Sequence, residues 1–191
     1  MKLAVVIGST RENRVTPKEA KWIANTANKI TDVEAEIVDL IDYQLPFFAE
    51  AVSPRYNPNR QIDQAVKMWL DKIAEFDAYI FITPEYNHSV PGVLKNAIDY
   101  LSSELNRKPA AVASHGSVGG ARAAMHLKEI LSESRAAVIP QAVAFSGLND
   151  AVDEDGNLSE AFKANPYGPQ AALDSMLTEL KWYSDALANA R

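Results

Sequence analysis

The sequence contains no cysteine, and it has only three histidines among its 191 residues. Without cysteine, disulfide bonds, a thiolate nucleophile, a CxxC redox motif and cysteine-ligated metals are all excluded. The histidines, at positions 88, 115 and 126, show no close ligand spacing, so no metal site is expected. The lack of cysteine also fits a protein of the cytoplasm.

Long apolar runs and an excess of positive charge are missing as well. No segment approaches the roughly 18 consecutive apolar residues that a membrane helix needs, and the strand-like start, Lys2 to Ile7, is too short for a signal peptide. The formal net charge of -6 disfavours nonspecific binding to nucleic acid. We therefore expect a cytoplasmic protein of one domain, residues 1–191, with neither a membrane nor a nucleic acid as its partner.

Five apolar runs alternate with helical patterns along the chain. The runs are Leu3–Ile7, Glu34–Val38, Ala78–Thr83, Ala110–Ser114 and Val138–Phe145. Four of them are nearly uninterrupted, as in parallel strands buried on both faces, whereas Glu34–Val38 alternates and is expected nearer an edge. The helical patterns cover Pro17–Ile30, Asn59–Glu75, Pro91–Ser103, Gly120–Ser134 and Pro169–Ala190. This alternation predicts an α/β fold with a parallel sheet covered on both sides.

The loop after the first predicted strand has the composition of a phosphate-binding turn. It starts at Gly8 and precedes a predicted helix start at Pro17; between them lie Ser9, Thr10, Arg11, Asn13, Arg14 and Thr16. The N-terminal end of a helix attracts anions, and hydroxyl and guanidinium groups add directed hydrogen bonds to phosphate oxygens. The motifs GxGxxG and GxxxxGK[ST] are absent, which favours a terminal monophosphate. A solvated turn with surface arginines is the alternative.

Two further loops follow the third and fourth predicted strands and are expected at the same edge of the sheet. In residues 83–92, two prolines stiffen the backbone, and Tyr86 and Asn87 combine a flat apolar face with polar edges. That combination suits a flavin ring, although a capped helix start with Tyr86 as a packing residue is also compatible. In residues 114–120, glycines allow close backbone approach and expose N–H donors. His115 can titrate there, or it is a solvated or packing histidine.

With these three loops, the sequence resembles the NAD(P)H-dependent FMN reductase family of flavodoxin-like proteins, which includes quinone, chromate and azo-dye reductases. The resemblance covers nearly the whole chain. It rests on Gly8-Ser9-Thr10-Arg11, on the stretch PEYNHSVPGVLKNAID from Pro84 to Asp99, and on Ser114-His115-Gly116 with Gly119-Gly120.

The resemblance implies a flavodoxin-like three-layer αβα sandwich whose five-stranded parallel sheet has the order 2-1-3-4-5. It also implies FMN as the cofactor. We expect FMN to be bound by Ser9, Arg11, Asn13, Arg14, Thr16, Pro84, Glu85, Tyr86, Asn87, Ser114, His115 and Gly116. The chain departs from the family where Arg14 replaces a common serine and where His115-Gly116-Ser117 replaces a common Tyr-Gly-Gly. Arg14 is expected either to replace a hydroxyl contact with a charge or to point to solvent.

In this family the flavin carries the chemistry, so no catalytic side chain is expected. The resemblance implies hydride transfer from NADPH or NADH to FMN, and then electron transfer to a quinone, an azo compound, a metal oxyanion or free flavin. The alternative is a flavodoxin-type electron-transfer protein without turnover of its own. Such carriers usually cover both flavin faces with aromatic side chains, and here only Tyr86 is an obvious one. A serine hydrolase is disfavoured because the GxSxG motif is absent.

Members of the family usually form homodimers or homotetramers whose active sites border the partner subunit. The resemblance therefore implies an oligomer for this chain as well. Under that reading, Phe47, Phe48 and Trp69 are candidate interface residues instead of core residues.

Overall fold

The computed structural model describes residues 1–190 of the chain. Its strands are β1 (Lys2–Ile7), β2 (Glu34–Asp39), β3 (Ala78–Pro84), β4 (Pro109–His115) and β5 (Ala137–Phe145). They form one five-stranded sheet in the order β2-β1-β3-β4-β5, and every neighbouring pair is parallel. The predicted sheet and its strand order are confirmed.

The burial of each strand follows its position in the sheet. Every residue of β3 and β4 is buried, because each strand has a neighbour on both sides and helices on both faces. β2 lies at one edge, as its alternating pattern predicts. β5 lies at the other edge and exposes Pro140, Ala142 and Ala144, so the prediction that this run is buried on both faces is wrong. Pro140 has no N–H to donate, and the β4–β5 register shifts beside it.

Residues 1–190 also form seven α-helices: α1 (Thr16–Ala27), α2 (Gln64–Ala74), α3 (Gly92–Asp99), α4 (Ala121–Glu133), α5 (Leu148–Ala151), α6 (Glu160–Lys163) and α7 (Pro169–Ala188). Two short 3-10 helices, Leu40–Asp42 and Pro54–Tyr56, lie between β2 and α2. α1 and α7 pack on one face of the sheet, and α2, α3 and α4 pack on the other. Side chains alternate along β1, so Val5 belongs to the first core and Val6 to the second. This is the predicted three-layer sandwich. None of these helices is long and apolar enough to cross a membrane.

The long connection between β2 and α2 is anchored at several points, one of which is Arg60. Arg60 lies 2.9 Å from Glu50 Oε1, and its Nη2 donates to the carbonyl oxygen of Tyr100 at 2.6 Å. These contacts hold the residues before α2 against the end of α3. α2 begins at Gln64, five residues later than the sequence pattern predicts.

The three aromatic residues proposed for an interface lie in different environments. Trp69 is fully buried, and its Nε1 donates to the carbonyl oxygen of Ala97 at 2.8 Å, so it is a core residue. Phe48 packs edge-on against Tyr100 with a centroid distance of 5.2 Å. Phe47 is 89% exposed. Of the three, Phe47 alone presents its ring to the surface.

Gly8 brings the end of β1 into close contact with β3. Its N–H donates to the carbonyl oxygen of Ile82 at 2.9 Å. A Cβ atom at this position would lie 2.5 Å from that oxygen and 2.7 Å from a methyl carbon of Leu94. Glycine therefore lets the first loop leave the sheet directly beside the second loop.

Replacing Gly8 with alanine is expected to lower the free energy of unfolding by about 1–3 kcal/mol, the usual cost of an overpacked site. Gly92 is the matched control, because an added Cβ at this first residue of α3 meets nothing within 4 Å. Gly92→Ala is expected to be neutral or to stabilise by up to about 1 kcal/mol through helix propensity. Urea unfolding followed by circular dichroism compares the two variants. Equal losses would contradict the close approach at Gly8.

Candidate active site

A pocket of about 430 Å³ lies at the carboxyl ends of β1, β3 and β4. It is lined by the ends of these elements and the loops that follow them: Arg11, Glu12, Asn13, Arg14, Val15, Thr16, Pro84, Glu85, Tyr86, His115 and Gly116. β1 and β3 are neighbours, and their connections leave in opposite directions along the sheet. Ligands of open α/β sheets bind at such a switch point.

Most of the predicted cofactor-binding residues lie together in this pocket. Nine of the twelve line it, namely Arg11, Asn13, Arg14, Thr16, Pro84, Glu85, Tyr86, His115 and Gly116. Ser9, Asn87 and Ser114 do not. Glu12 and Val15 line the pocket without having been predicted. Both stand between predicted residues of the first loop, so the continuity of that loop was the available signal.

Ser9 joins the first loop to the second instead of facing the pocket. Its side chain is fully buried, and its Oγ lies 2.8 Å from the hydroxyl oxygen of Tyr86. The backbone N–H of Arg11 also donates to Ser9 Oγ, at 3.3 Å. The contact of Ser9 with phosphate therefore stays a prediction, whereas its contact with Tyr86 sets the separation of the two loops.

Arg14 is held by Asp39, the last residue of β2. Its Nη1 lies 2.7 Å from Asp39 Oδ1 and its Nη2 contacts Oδ2, a bidentate pair whose side chains are 12% and 19% exposed. The guanidinium also donates to the carbonyl oxygen of Ser9. Arg14 thus neither points to solvent nor carries an uncompensated charge. It braces the first loop against an edge strand.

Arg11 is the other cation of the first loop, and within the described residues its guanidinium has no carboxylate partner. It lies over the ring of Tyr86, 5.9 Å from the ring centroid. The backbone N–H groups of Glu12 and Asn13 also donate to no protein acceptor within residues 1–190. A free cation beside free N–H donors at the start of α1 is suited to bind an anion.

Asn87 and His88 form the two-residue turn of a short hairpin. Tyr86 and Ser89 exchange backbone hydrogen bonds at 2.9 and 3.0 Å. The φ angles are 50° at Asn87 and 67° at His88. Two positive φ angles at the centre of a tight hairpin are those of a type I′ turn. Asn87 therefore serves the turn that presents Tyr86, which explains its position outside the pocket lining.

The third loop is held by contacts of its own. Ser114 is buried, and its Oγ donates to the carbonyl oxygen of Gly119 at 2.7 Å. The N–H of Gly116 donates to the carbonyl oxygen of Phe145 at 3.1 Å, and the N–H of Gly119 donates to Gly116. The expectation that these glycines expose free N–H donors is therefore wrong for Gly116 and Gly119.

Glu85 lines the pocket, but its carboxylate is directed to the start of α4. Its Oε2 accepts from the N–H of Arg122 at 3.0 Å and from that of Ala123 at 3.5 Å, and Oε1 accepts from Arg122 Nη1 at 2.7 Å. Burial acts to raise the pKa of the Glu85 carboxyl, but these hydrogen bonds outweigh it and hold the pKa below its ordinary value. Glu85 is an anion that ties the second loop to α4.

His115 is paired with Glu19, a residue that no sequence motif pointed to. His115 Nδ1 lies 2.7 Å from Glu19 Oε2, and the two side chains are 9% and 0% exposed. His115 Nε2 lies 3.5 Å from Thr16 Oγ1. A signal was present in the sequence, because Glu19 stands on the buried face of α1 with Ala20 and Ile23. A lone carboxylate on such a face needs a partner.

Comparison with known proteins identifies the family. Residues 1–150 match the sequence model of the family described as NADPH-dependent FMN reductase. The chain belongs to that family. The matched segment includes all three loops, and membership makes this protein an oxidoreductase whose cofactor is FMN and whose reductant is a nicotinamide nucleotide.

Individual relatives cover much of the chain. An NAD(P)H-dependent FMN reductase from Schizosaccharomyces pombe is 35% identical over 139 residues, which cover 73% of this chain and 70% of that protein. A quinone reductase from Pseudomonas putida is 32% identical over 188 residues, 94% of each protein. The solved structure of FerB, an NAD(P)H:(acceptor) oxidoreductase from Paracoccus denitrificans, has a TM-score of 0.72 at 24% identity. It covers 98% of this chain and 97% of its own, which shows the shared fold.

The chemistry of the pocket fits FMN, a ligand with an anionic phosphate at one end and a flat ring at the other. Arg11 and the free N–H groups of Glu12 and Asn13 are complementary to a phosphate. Pro84 and the ring of Tyr86 supply an apolar wall in the same pocket. Both ends of the ligand therefore have matching groups on this chain.

Replacing Arg14 with alanine is expected to lower the free energy of unfolding by about 1–3 kcal/mol, because the partly buried Asp39 loses its partner. Arg11→Ala is the matched control, since it removes the same charge from the same loop without breaking an ion pair. Its stability is expected to change by less than about 0.5 kcal/mol. Urea unfolding in the absence of FMN measures both, and equal effects would contradict the bracing role of Arg14.

Proposed function

We propose that this member of the FMN reductase family oxidises NADPH or NADH and reduces a quinone, with FMN bound in the 430 Å³ pocket. The observation that carries the proposal is the free cation of Arg11 beside the free N–H groups of the first loop. The acceptor class is supported by the Pseudomonas putida quinone reductase, which aligns with 94% of this chain. Azo compounds, metal oxyanions and free flavin are the other acceptors that the family resemblance implies.

The proposed roles of the residues follow from their contacts. Arg11 binds the phosphate, and Tyr86 with Pro84 supports the ring from one side. The hydrogen bond between Ser9 and Tyr86 keeps the ring support at a fixed distance from the phosphate end. FMN, when bound, accepts a hydride and passes two electrons to an acceptor. The chain's task is therefore to bind and orient, and no acid–base side chain is required for hydride transfer.

A reductase needs one flavin face open to its two substrates in turn. Tyr86 is the one phenylalanine, tyrosine or tryptophan among the residues that line the pocket. A flavodoxin-type carrier usually covers both faces with aromatic rings, which leaves no room for a nicotinamide. The lining therefore supports an enzyme with turnover instead of an electron carrier.

We also propose that the protein is a homodimer or a homotetramer with the pocket beside the partner subunit. Phe47 is 89% exposed and Val93 at the start of α3 is 42% exposed. They stand on adjacent elements, because Asn96 of α3 accepts from the N–H of Phe48 at 2.8 Å and donates to the carbonyl oxygen of Pro46 at 2.8 Å. A cytoplasmic location is proposed from the absence of cysteine.

The purified protein is expected to bind FMN and to oxidise NADPH or NADH when a quinone is present. The visible flavin spectrum measures binding, and the loss of reduced-nicotinamide absorbance measures turnover. A protein that binds FMN but turns over with neither nucleotide would be the electron carrier. A protein that does not bind added FMN would contradict the proposed site.

Replacing Arg11 with alanine is expected to weaken FMN binding by about 1.5–3 kcal/mol, the range for a hydrogen bond to a charged group. This corresponds to a rise in Kd of roughly 10- to 150-fold. Arg55→Ala is the control, because the guanidinium of Arg55 contacts the carbonyl oxygen of Glu133, outside the pocket lining. Quenching of FMN fluorescence measures the Kd. Unchanged affinity in Arg11→Ala would place the phosphate elsewhere.

A further inference from the structure

A buried acid–imidazole pair, Glu19 and His115, borders the pocket without a role in the proposal above. Glu19 is 0% exposed, and within the described residues its Oε1 has no hydrogen-bond partner. Its Oε2 lies 2.7 Å from His115 Nδ1. A buried carboxylate is costly unless a group that carries a proton is paired with it. The short contact therefore requires a proton between Nδ1 and Oε2.

The contact with Glu19 decides what the other ring nitrogen of His115 offers to the pocket. If the pair holds one proton, that proton lies between Nδ1 and Oε2, because two lone pairs 2.7 Å apart would repel. Nε2 is then bare and can only accept a hydrogen bond. If the pair holds two protons, Nε2 carries one and can only donate. The proton count of the pair thus sets the hydrogen-bonding character of Nε2.

His115 Nε2 lies at the anion-binding end of the pocket. It is 3.5 Å from Oγ1 of Thr16, the first residue of α1, and both residues line the pocket. The N-terminal end of a helix is where a phosphate is most favourably placed. A phosphate dianion offers acceptor oxygens alone, so Nε2 can bind it only as a donor.

We propose that the Glu19–His115 pair makes the binding of a phosphate group in this pocket proton-linked. When the phosphate of FMN enters, the pair takes up one proton from solvent, and His115 Nε2 donates to a phosphate oxygen. Glu19 is the positioning residue that keeps Nδ1 engaged and Nε2 directed to the ligand. This inference rests on the proposed FMN site.

Other titratable and charged groups line the same pocket. From the first loop these are Arg11, Glu12 and Arg14, from the second loop Glu85 and Tyr86, and Arg122 of α4 pairs with Glu85. A phosphate monoester has its second pKa at about 6, so FMN is a dianion above about pH 7. Proton uptake above that pH therefore belongs to the protein, and substitution of His115 shows whether the pair is its source.

Calorimetry of FMN binding tests the proposal with the unaltered protein. Titrations in Tris and in HEPES, whose ionisation enthalpies differ, give the number of protons exchanged. We expect uptake of about one proton per FMN near pH 8, and a Kd that rises up to tenfold per pH unit between about pH 7 and 8.5. Riboflavin, which lacks the phosphate, is expected to bind without this uptake. Equal uptake with riboflavin would overturn the assignment to phosphate.

Three variants locate the proton. His115→Gln is expected to abolish the uptake and to leave the Kd for FMN independent of pH in this window. Glu19→Gln replaces an acceptor-only carboxylate with an amide that can also donate to Nδ1, so neutral His115 can then carry its proton on Nε2. It is therefore expected to abolish the proton uptake while His115 stays in place. His126→Gln is the matched control, because His126 contacts Ser89 outside the pocket lining and its loss is expected to leave the uptake unchanged.

The outcomes separate this inference from the proposed function. FMN binding without proton uptake anywhere between about pH 7 and 8.5 would overturn the inference and leave the FMN site intact. Uptake that persists in a folded His115→Gln variant, as judged by circular dichroism, would overturn the role of His115. Failure of FMN to bind at all would overturn the proposed function, and this inference with it. The proton uptake measured with the unaltered protein tests the inference even if a variant does not fold.

Discussion

The site depends on one close approach, between Gly8 at the end of β1 and Ile82 of β3. The hydrogen bond of 2.9 Å from the N–H of Gly8 continues the pairing of the two strands beyond the last residue of β1. The first and second loops consequently leave the sheet side by side, close enough for Ser9 to meet the hydroxyl of Tyr86. The pocket is the space that this arrangement leaves between the two loops and the end of β4.

Charge is distributed unevenly around that space. Asp39 neutralises Arg14, and Arg122 neutralises Glu85, so both of these charges serve to hold loops in place. Among the charged residues that line the pocket, Arg11 is the cation without a carboxylate partner within residues 1–190. The pocket can thus attract an anionic ligand although the protein as a whole is acidic.

Much of this architecture can be predicted from the sequence, because strand runs, helix patterns and loop composition are local properties. The strand runs and the three loops follow from these local properties, whereas the strand order and the set of FMN-binding residues come from the family resemblance. What could not be predicted depends on which strands become neighbours. Asp39 is far from Arg14 along the chain, and Glu19 is far from His115, so each pair forms only when the sheet assembles. The burial of Trp69 depends on the packing of α2 against α3, where its Nε1 donates to the carbonyl oxygen of Ala97.

The hairpin that presents Tyr86 has a consequence for how this protein can vary. Asn87 and His88 both occupy left-handed backbone conformations, which asparagine, aspartate and glycine adopt most readily and β-branched residues strongly resist. If these two positions were randomised, the variants that fold would be those whose residues tolerate a positive φ, whatever their contacts with a ligand. Tyr86 is under no such restriction, since its own backbone is extended by pairing with Ser89. The side chain at position 86 and the turn residues at positions 87 and 88 can therefore be varied independently.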